Sequence, residues 1–188
     1  MEGYPRVRAV ILAAGLSKRM GAQKLLMPFR GKPLIEYAIA AAQRWQPVLV
    51  AGNEVADALQ GRRDVELVRN SEPQRGMAHS LALADAAVAA DAALVVLLGD
   101  KPLVSEVLIA DVCDALEDAD VAYPVHARGG QPGHPVVFAA SVRGRIAAIP
   151  DGDTLQFLRD DPSLRRRAVR SEDDGAFFDV DTARDLGS

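Results

Sequence analysis

Two parts of this 188-residue chain carry the residue types and spacing of phosphate and metal chemistry. The first is the run Val10-Ile11-Leu12-Ala13-Ala14-Gly15-Leu16-Ser17-Lys18-Arg19-Met20-Gly21-Ala22-Gln23-Lys24-Leu25. An apolar segment there enters a turn holding two glycines, small residues and three cations. Main-chain amides can approach a polyphosphate closely in such a turn, because glycine leaves no side chain in the way. Arg19 and Lys24 can add charge-assisted hydrogen bonds as phosphate charge grows during a reaction. Neither GxxxxGK followed by Ser or Thr nor GxGxxG is present, which disfavours a Walker loop or a dinucleotide loop. The bland alternative is a strand-to-helix turn with solvated basic residues. The second part is acidic. Asp100, in Leu97-Leu98-Gly99-Asp100, stands where an apolar segment ends, and Asp181 stands in Phe178-Asp179-Val180-Asp181-Thr182. Mg²⁺ is a hard cation that takes one or two carboxylates with waters and phosphate oxygens, so the pair Asp100 and Asp181 is a candidate metal site. Asp181 could instead cap a helix over residues 182–186, and Asp100 could be a turn acid paired with Lys101.

These residues need elements to position them. Short β-branched or Leu-rich runs predict strands at 7–12, 48–51, 65–69 and 94–98, most of them buried on both faces. Ala- and Leu-rich stretches with polar residues on one side predict helices at 33–44, 78–90 and 105–116. Alternation of this kind specifies an α/β fold, a Rossmann-like doubly wound, mainly parallel sheet with helices on both faces. After 121–125 comes the loop Arg128-Gly129-Gly130-Gln131-Pro132-Gly133-His134-Pro135, then apolar runs at 136–139, 166–170 and 177–180, read as a mixed C-terminal edge. Alternation within the last run would aim Asp179 and Asp181 to one face of a strand. Ligands of such sheets bind beyond the carboxyl ends of the strands, so chemistry is expected just after Leu12, Val68 and Leu98.

Bulk properties narrow the class. The length suits a single domain over 1–188, and 49% hydrophobic with 26% charged residues predicts a chain folded throughout. A formal net charge of −4 offers no broad cationic face to nucleic acid or membrane, so a small-molecule ligand is expected. The single cysteine, Cys113, falls in a predicted helix, which excludes a disulfide within the chain and suits a reducing cytoplasm. The N-terminus lacks the pattern of a signal peptide, and no run approaches a membrane span.

Several motifs together resemble one family. Leu12-Ala13-Ala14-Gly15 to Arg19-Met20-Gly21, with Lys24-Leu25-Leu26, Pro28 and Gly31-Lys32-Pro33-Leu34, is similar to the signature of the MobA-like nucleotidyltransferases. Its two alanines look most like the molybdenum cofactor cytidylyltransferase branch, where the guanylyltransferase branch has Ala-Gly-Gly. Further blocks match in order: Asn70, Gly76-Met77 and Ser80-Leu81; Gly99-Asp100 with Pro102; Pro132-Gly133-His134-Pro135; and Asp179-Val180-Asp181-Thr182 with Asp185. The resemblance implies Mg²⁺ on Asp100 and Asp181, and an NTP, CTP above all, bound by Leu12, Ala13, Ala14, Gly15, Arg19, Lys24, Asn70, Ser80 and Asp100. It also implies a phosphorylated acceptor such as the molybdopterin cofactor near His134, and a molybdoenzyme that receives the product. Arg19, Lys24 and Asp100 would then carry catalysis, the acceptor phosphate attacking the α-phosphorus while the loop stabilises the departing pyrophosphate.

On residues alone, Asn70 is equally a turn residue, Ser80 a helix-start residue, and His134 a loop histidine bonded to backbone. His79 is expected at the surface. The chain departs from the cytidylyltransferase pattern at Lys101, where Gln is common, at Ala78-His79, and in Asp151-Gly152-Asp153-Thr154-Leu155. Two readings of other classes are a nicotinamide- or flavin-dependent oxidoreductase and a non-catalytic chaperone of molybdoenzyme maturation on the same fold.

Overall fold

The computed structural model describes residues 6–15, 23–182 and 184–187. In chain order the first half comprises β1 (Val7–Ala13), a hairpin of β2 (Pro28–Phe29) and β3 (Lys32–Pro33), α1 (Ile35–Ala42), β4 (Val48–Ala51), α2 (Asn53–Ala58) and β5 (Glu66–Arg69). The second half comprises α3 (Met77–Ala87), β6 (Ala93–Leu98), α4 (Glu106–Asp114), β7 (Val121–His126), β8 (Val136–Phe138), α5 (Gln156–Arg159) and β9 (Arg166–Ser171). Seven strands form one sheet in the order β5-β4-β1-β6-β8-β7-β9. The first four are parallel, β8 runs antiparallel between β6 and β7, and β9 is parallel to β7. The expected doubly wound sheet with a mixed C-terminal edge is what forms.

Apolar periodicity explains the two layers. Ile35, Ala38, Ile39 and Ala42 recur every three or four residues along α1, as do Leu108, Ile109, Val112 and Cys113 along α4, so each helix buries one stripe. These stripes pack on Ile11, Leu49 and Leu97 on one face of the sheet. On the other face Leu81 and Ala84 of α3, with Ile146 and Leu158, cover Val10, Val50, Val96 and Phe138. Alternate residues of the same strand thus feed both cores, which is why β1, β4 and β6 read as continuous apolar runs.

Several expectations are corrected. The run at 65–69 forms a strand but is the exception among those expected to be mostly buried on both faces: β5 pairs on one side only, with Glu66 and Arg69 exposed. The helix expected from residue 33 starts at Ile35, because Lys32–Pro33 pairs back onto Pro28–Phe29 through a turn with positive φ at Arg30 and Gly31. The helix expected to residue 90 ends at Ala87, where Val88 turns extended. The strand expected at 177–180 does not form. A 3-10 turn at Asp174–Ala176 leads into irregular chain, so the same-face argument for Asp179 and Asp181 fails. His79 is half-buried beside Glu72 rather than at the surface. Among the described residues no helix is long and apolar enough to cross a membrane.

Candidate active site

The chain builds the sheet outward from β1 through β4 to β5, then returns through α3 to place β6 on the other side of β1. The carboxyl ends of β1 and β6 therefore flank the point where the strand order reverses, the crevice in which open α/β sheets hold ligands. Register brings Leu12 level with Leu98, and the Gly99 amide continues the ladder by donating to the Leu12 carbonyl at 3.0 Å. Gly99 lets the strands and α1 approach closely: a β-carbon there would lie 2.8 Å from Ile35 Cδ1 of α1, which would have to shift, and 3.4 Å from the Leu12 carbonyl. With that approach allowed, Asp100 emerges beside the turn that follows β1.

Lys24 meets Asp100 there. Its Nζ donates to Asp100 Oδ2 at 2.8 Å, to the Val180 carbonyl at 2.8 Å and to Asp181 Oδ1 at 3.5 Å. A mid-chain carboxylate and one near the end of the sequence thus converge on one ammonium from the first strand's loop. Lys24 is mostly buried, its side chain 16% exposed, whereas Asp100 is 25% and Asp181 60% exposed, so the cluster opens to solvent on the Asp181 side. The helix-cap alternative for Asp181 is not what occurs: Asp185 Oδ2 instead accepts from the amides of Asp181 and Thr182 and from the Thr182 hydroxyl. That leaves the Asp181 carboxylate to face Lys24. Lys101 pairs with Asp179 at 2.5 Å and not with Asp100, which removes the turn-acid alternative in the form the sequence suggested.

The segment carrying Asp181 is irregular, yet held at many points. Val180 N–H donates to the Asp100 carbonyl at 3.0 Å, the buried Lys101 clasps Asp179, and Asp173 takes the Ser105 hydroxyl at 2.8 Å. Sequence reasoning missed this clasp. Lys101 stood out as a departure from the family, but nothing in its spacing from Asp179 announced the contact.

The Gly/Pro-rich loop docks on the same segment. Gly133 packs where a β-carbon would fall 2.7 Å from the Ala176 carbonyl, and the His134 amide donates to that carbonyl at 3.0 Å. The His134 ring is partly covered, and its Nδ1 is buried without a hydrogen-bond partner. Burial first, and the Lys101 ammonium second, push its pKa down from 6.5 to about 4, so it is a neutral imidazole at physiological pH. The negative charge of Asp100 opposes that shift.

Asn70 and Ser80 come together, but on each other. Asn70 Nδ2 donates to Ser80 Oγ at 2.9 Å, and Asn70 Oδ1 accepts from the Glu72 amide at 2.8 Å, both side chains being buried. The pair fixes the turn after β5 to the first turn of α3. That turn is also fastened to the loop after the 3-10 segment Ala140–Ala148: Arg75 pairs with Asp151 at 3.2 Å, and Gly152 N–H donates to the Arg75 carbonyl at 3.2 Å. In the first loop, Leu12, Ala13 and Ala14 are buried while Gly15 is exposed, and Gln23 Nε2 donates to the Gly15 carbonyl at 3.4 Å across the loop's ends. Arg19 lies outside the described residues.

A switch-point position with a Gly-containing turn, a lysine and two converging carboxylates is an arrangement chemically suited to phosphate esters. The MobA-like NTP transferase domain matches residues 9–169, and the chain belongs to that family of nucleotidyltransferases. It is 30% identical to nicotine blue oxidoreductase of Paenarthrobacter nicotinovorans, over 97% of this chain and 95% of that protein. It is 36% identical to the bifunctional protein GlmU of Rhizorhabdus wittichii over 86% of this chain, while spanning 36% of that longer protein. The crystal structure of Rv0371c from Mycobacterium tuberculosis superposes with a TM-score of 0.86 at 26% identity, covering 99% of this chain and 100% of that one. Molybdopterin-guanine dinucleotide biosynthesis protein A of Archaeoglobus fulgidus shares the fold, with a TM-score of 0.74 at 21% identity over 96% of this chain and 95% of that one.

Proposed function

We propose that this protein transfers a nucleoside monophosphate, CMP from CTP, onto a phosphorylated small molecule, the molybdopterin or molybdenum cofactor, and releases pyrophosphate. The observation that carries the reading is the convergence of Asp100, Asp181 and Lys24 beside the Ala14-Gly15 turn at the sheet's switch point. An NTP laid across that crevice would meet main-chain amides and a cation at its phosphates and carboxylates at the reacting centre.

Nucleotidyl transfer asks the protein for positioning and charge compensation more than for a covalent nucleophile. A bond forms between an acceptor phosphate oxygen and the α-phosphorus as the bond to the bridging oxygen of pyrophosphate breaks. Lys24 and Arg19, with the loop amides, would neutralise the charge that collects on the leaving pyrophosphate. The donor set suits a divalent ion, since Asp100 and Asp181 offer hard anionic oxygens on a face open to solvent, and these two residues would hold Mg²⁺. When bound, the ion would supply charge neutralisation at the phosphates. Asn70 and Ser80 would act on the nucleotide through the turn that they brace. His134, a neutral imidazole on the docked Gly/Pro loop, would offer a hydrogen bond to the acceptor, and the product would pass to a molybdoenzyme.

The test is pyrophosphate release with CTP, GTP or ATP, Mg²⁺ and a panel of phosphorylated acceptors. Release that requires both CTP and one acceptor supports the reading. Absence of release with every pair overturns it.

A redox reading has one specific observation behind it, the likeness to an oxidoreductase over nearly its whole length. NADH, NADPH and flavins titrated into the protein would give no spectral or thermal response if transfer is the activity.

A further inference from the structure

Lys24 poses a problem that the proposed function leaves open. Its ammonium is wanted at the phosphates, yet it rests on the carboxylates assigned to the metal, Asp100 Oδ2 at 2.8 Å and Asp181 Oδ1 at 3.5 Å, and on the neighbouring Val180 carbonyl at 2.8 Å. A divalent ion on the same carboxylates would face the positive charge of the mostly buried Lys24 at contact distance, where like charges repel. Each cation therefore disfavours the other at these oxygens.

We propose that Lys24 is the resident cation of this oxygen site in the nucleotide-free protein, so that divalent metal and ammonium exclude one another until NTP phosphates draw the ammonium away. The inference rests on the assignment of Asp100 and Asp181 as metal ligands. Three features support it. The backbone that carries the two carboxylates is held independently of Lys24, by the Val180 amide on the Asp100 carbonyl at 3.0 Å and by Lys101 on Asp179 at 2.5 Å. Lys24 opens a 3-10 turn fixed by the buried Leu25, so its backbone stays put while four methylenes let the ammonium swing. An ammonium among the carboxylates also offsets their mutual repulsion when no other cation is there. The consequence is coupling: metal binds weakly alone and NTP strengthens it, and by linkage metal strengthens NTP binding to the same degree.

The experiment titrates Mn²⁺ into the full chain without nucleotide and follows the free-ion EPR signal. Wild type should bind weakly, Lys24→Met at least about tenfold more tightly, and Lys24→Met/Asp100→Asn should lose that gain. Lys24→Gln repeats the test with a polar side chain, and thermal melts confirm that each variant is folded. Mn²⁺ affinity in Lys24→Met and Lys24→Gln equal to or below that of wild type would overturn the resident-cation idea. The underlying metal site is judged separately, by calorimetry of CTP binding with and without Mn²⁺. If Asp100→Asn and Asp181→Asn leave the Mn²⁺ dependence of CTP binding unchanged, the metal assignment itself falls. If they abolish it while the lysine variants show no gain, only the exclusion by Lys24 is lost.

Discussion

Asp100→Asn separates the chemistry of this site from its folding. Asparagine keeps the shape of the side chain and a carbonyl oxygen, so Lys24 retains an acceptor where it now finds Asp100 Oδ2 at 2.8 Å. What is lost is charge. A hydrogen bond to a charged group contributes about 1.5–3 kcal/mol, against about 1 kcal/mol for a neutral one. Both side chains are partly exposed, at 16% and 25%, so solvent screens the difference and a stability loss of about 1 kcal/mol is expected. In a domain of this length that lowers Tm by roughly 2–4 °C. Turnover should suffer far more. The amide is not an anionic ligand, and removal of one preorganised electrostatic group from a reacting centre typically costs about 10²–10³-fold in kcat. Calorimetric melting and pyrophosphate release, measured on the same preparation with CTP, acceptor and saturating Mg²⁺, give both numbers. A kcat within about threefold of wild type would refute the metal role, since such a change is under 1 kcal/mol of barrier. A Tm fall of tens of degrees would instead show that the carboxylate braces the fold.

Three further outcomes are expected. Arg143, buried at 6% exposure, ends α3 by donating to Asp85 Oδ1 and to the carbonyls of Asp85, Val88, Ala89 and Ala92. Arg143→Ala should therefore cost about 3 kcal/mol or more, visible as a Tm lowered by roughly 10 °C with kcat at 20 °C retained; a change under 2 °C would contradict the capping role. His134 has its pKa depressed from 6.5 to about 4, so the unfolded chain binds its proton first, and stability is whole above about 6.5 and falls as pH drops toward 4. In urea unfolding across that window His134→Gln should flatten this part of the decline, and parallel curves for the two proteins would refute it. The methyl of the buried Ala14 narrows the floor of the proposed base site, so CTP should exceed GTP in kcat/KM by about 1–3 kcal/mol, and Ala14→Gly should relax the preference. Preference for GTP in the wild type would sink the cytidylyl assignment and leave transferase activity untouched.

The sequence by itself determined the layers and the address of the site. Strands that pair on both sides carry apolar residues on both faces, and amphipathic helices carry a 3.6-residue stripe; both patterns are local, so β1, β4, β6, α1 and α4 were legible. The same reasoning placed Leu12 and Asp100 at strand ends, and a strand end in a parallel sheet is a position in space. Pairing partners were not local. Whether Lys24 reaches phosphate or carboxylate, whether Lys101 answers Asp100 or Asp179, and whether Asn70 and Ser80 present themselves to a ligand or to each other depend on contacts across 10 to 157 residues of chain. The end of the chain shows this most plainly. Phe177 to Val180 has the composition of a strand, but Gly133 lets the loop before β8 pack against Ala176 and Phe177, and Lys101 pairs with Asp179. Tertiary contacts outweighed an intrinsic β preference that spans only about 1 kcal/mol, and by bending that segment they brought Asp181 to Lys24.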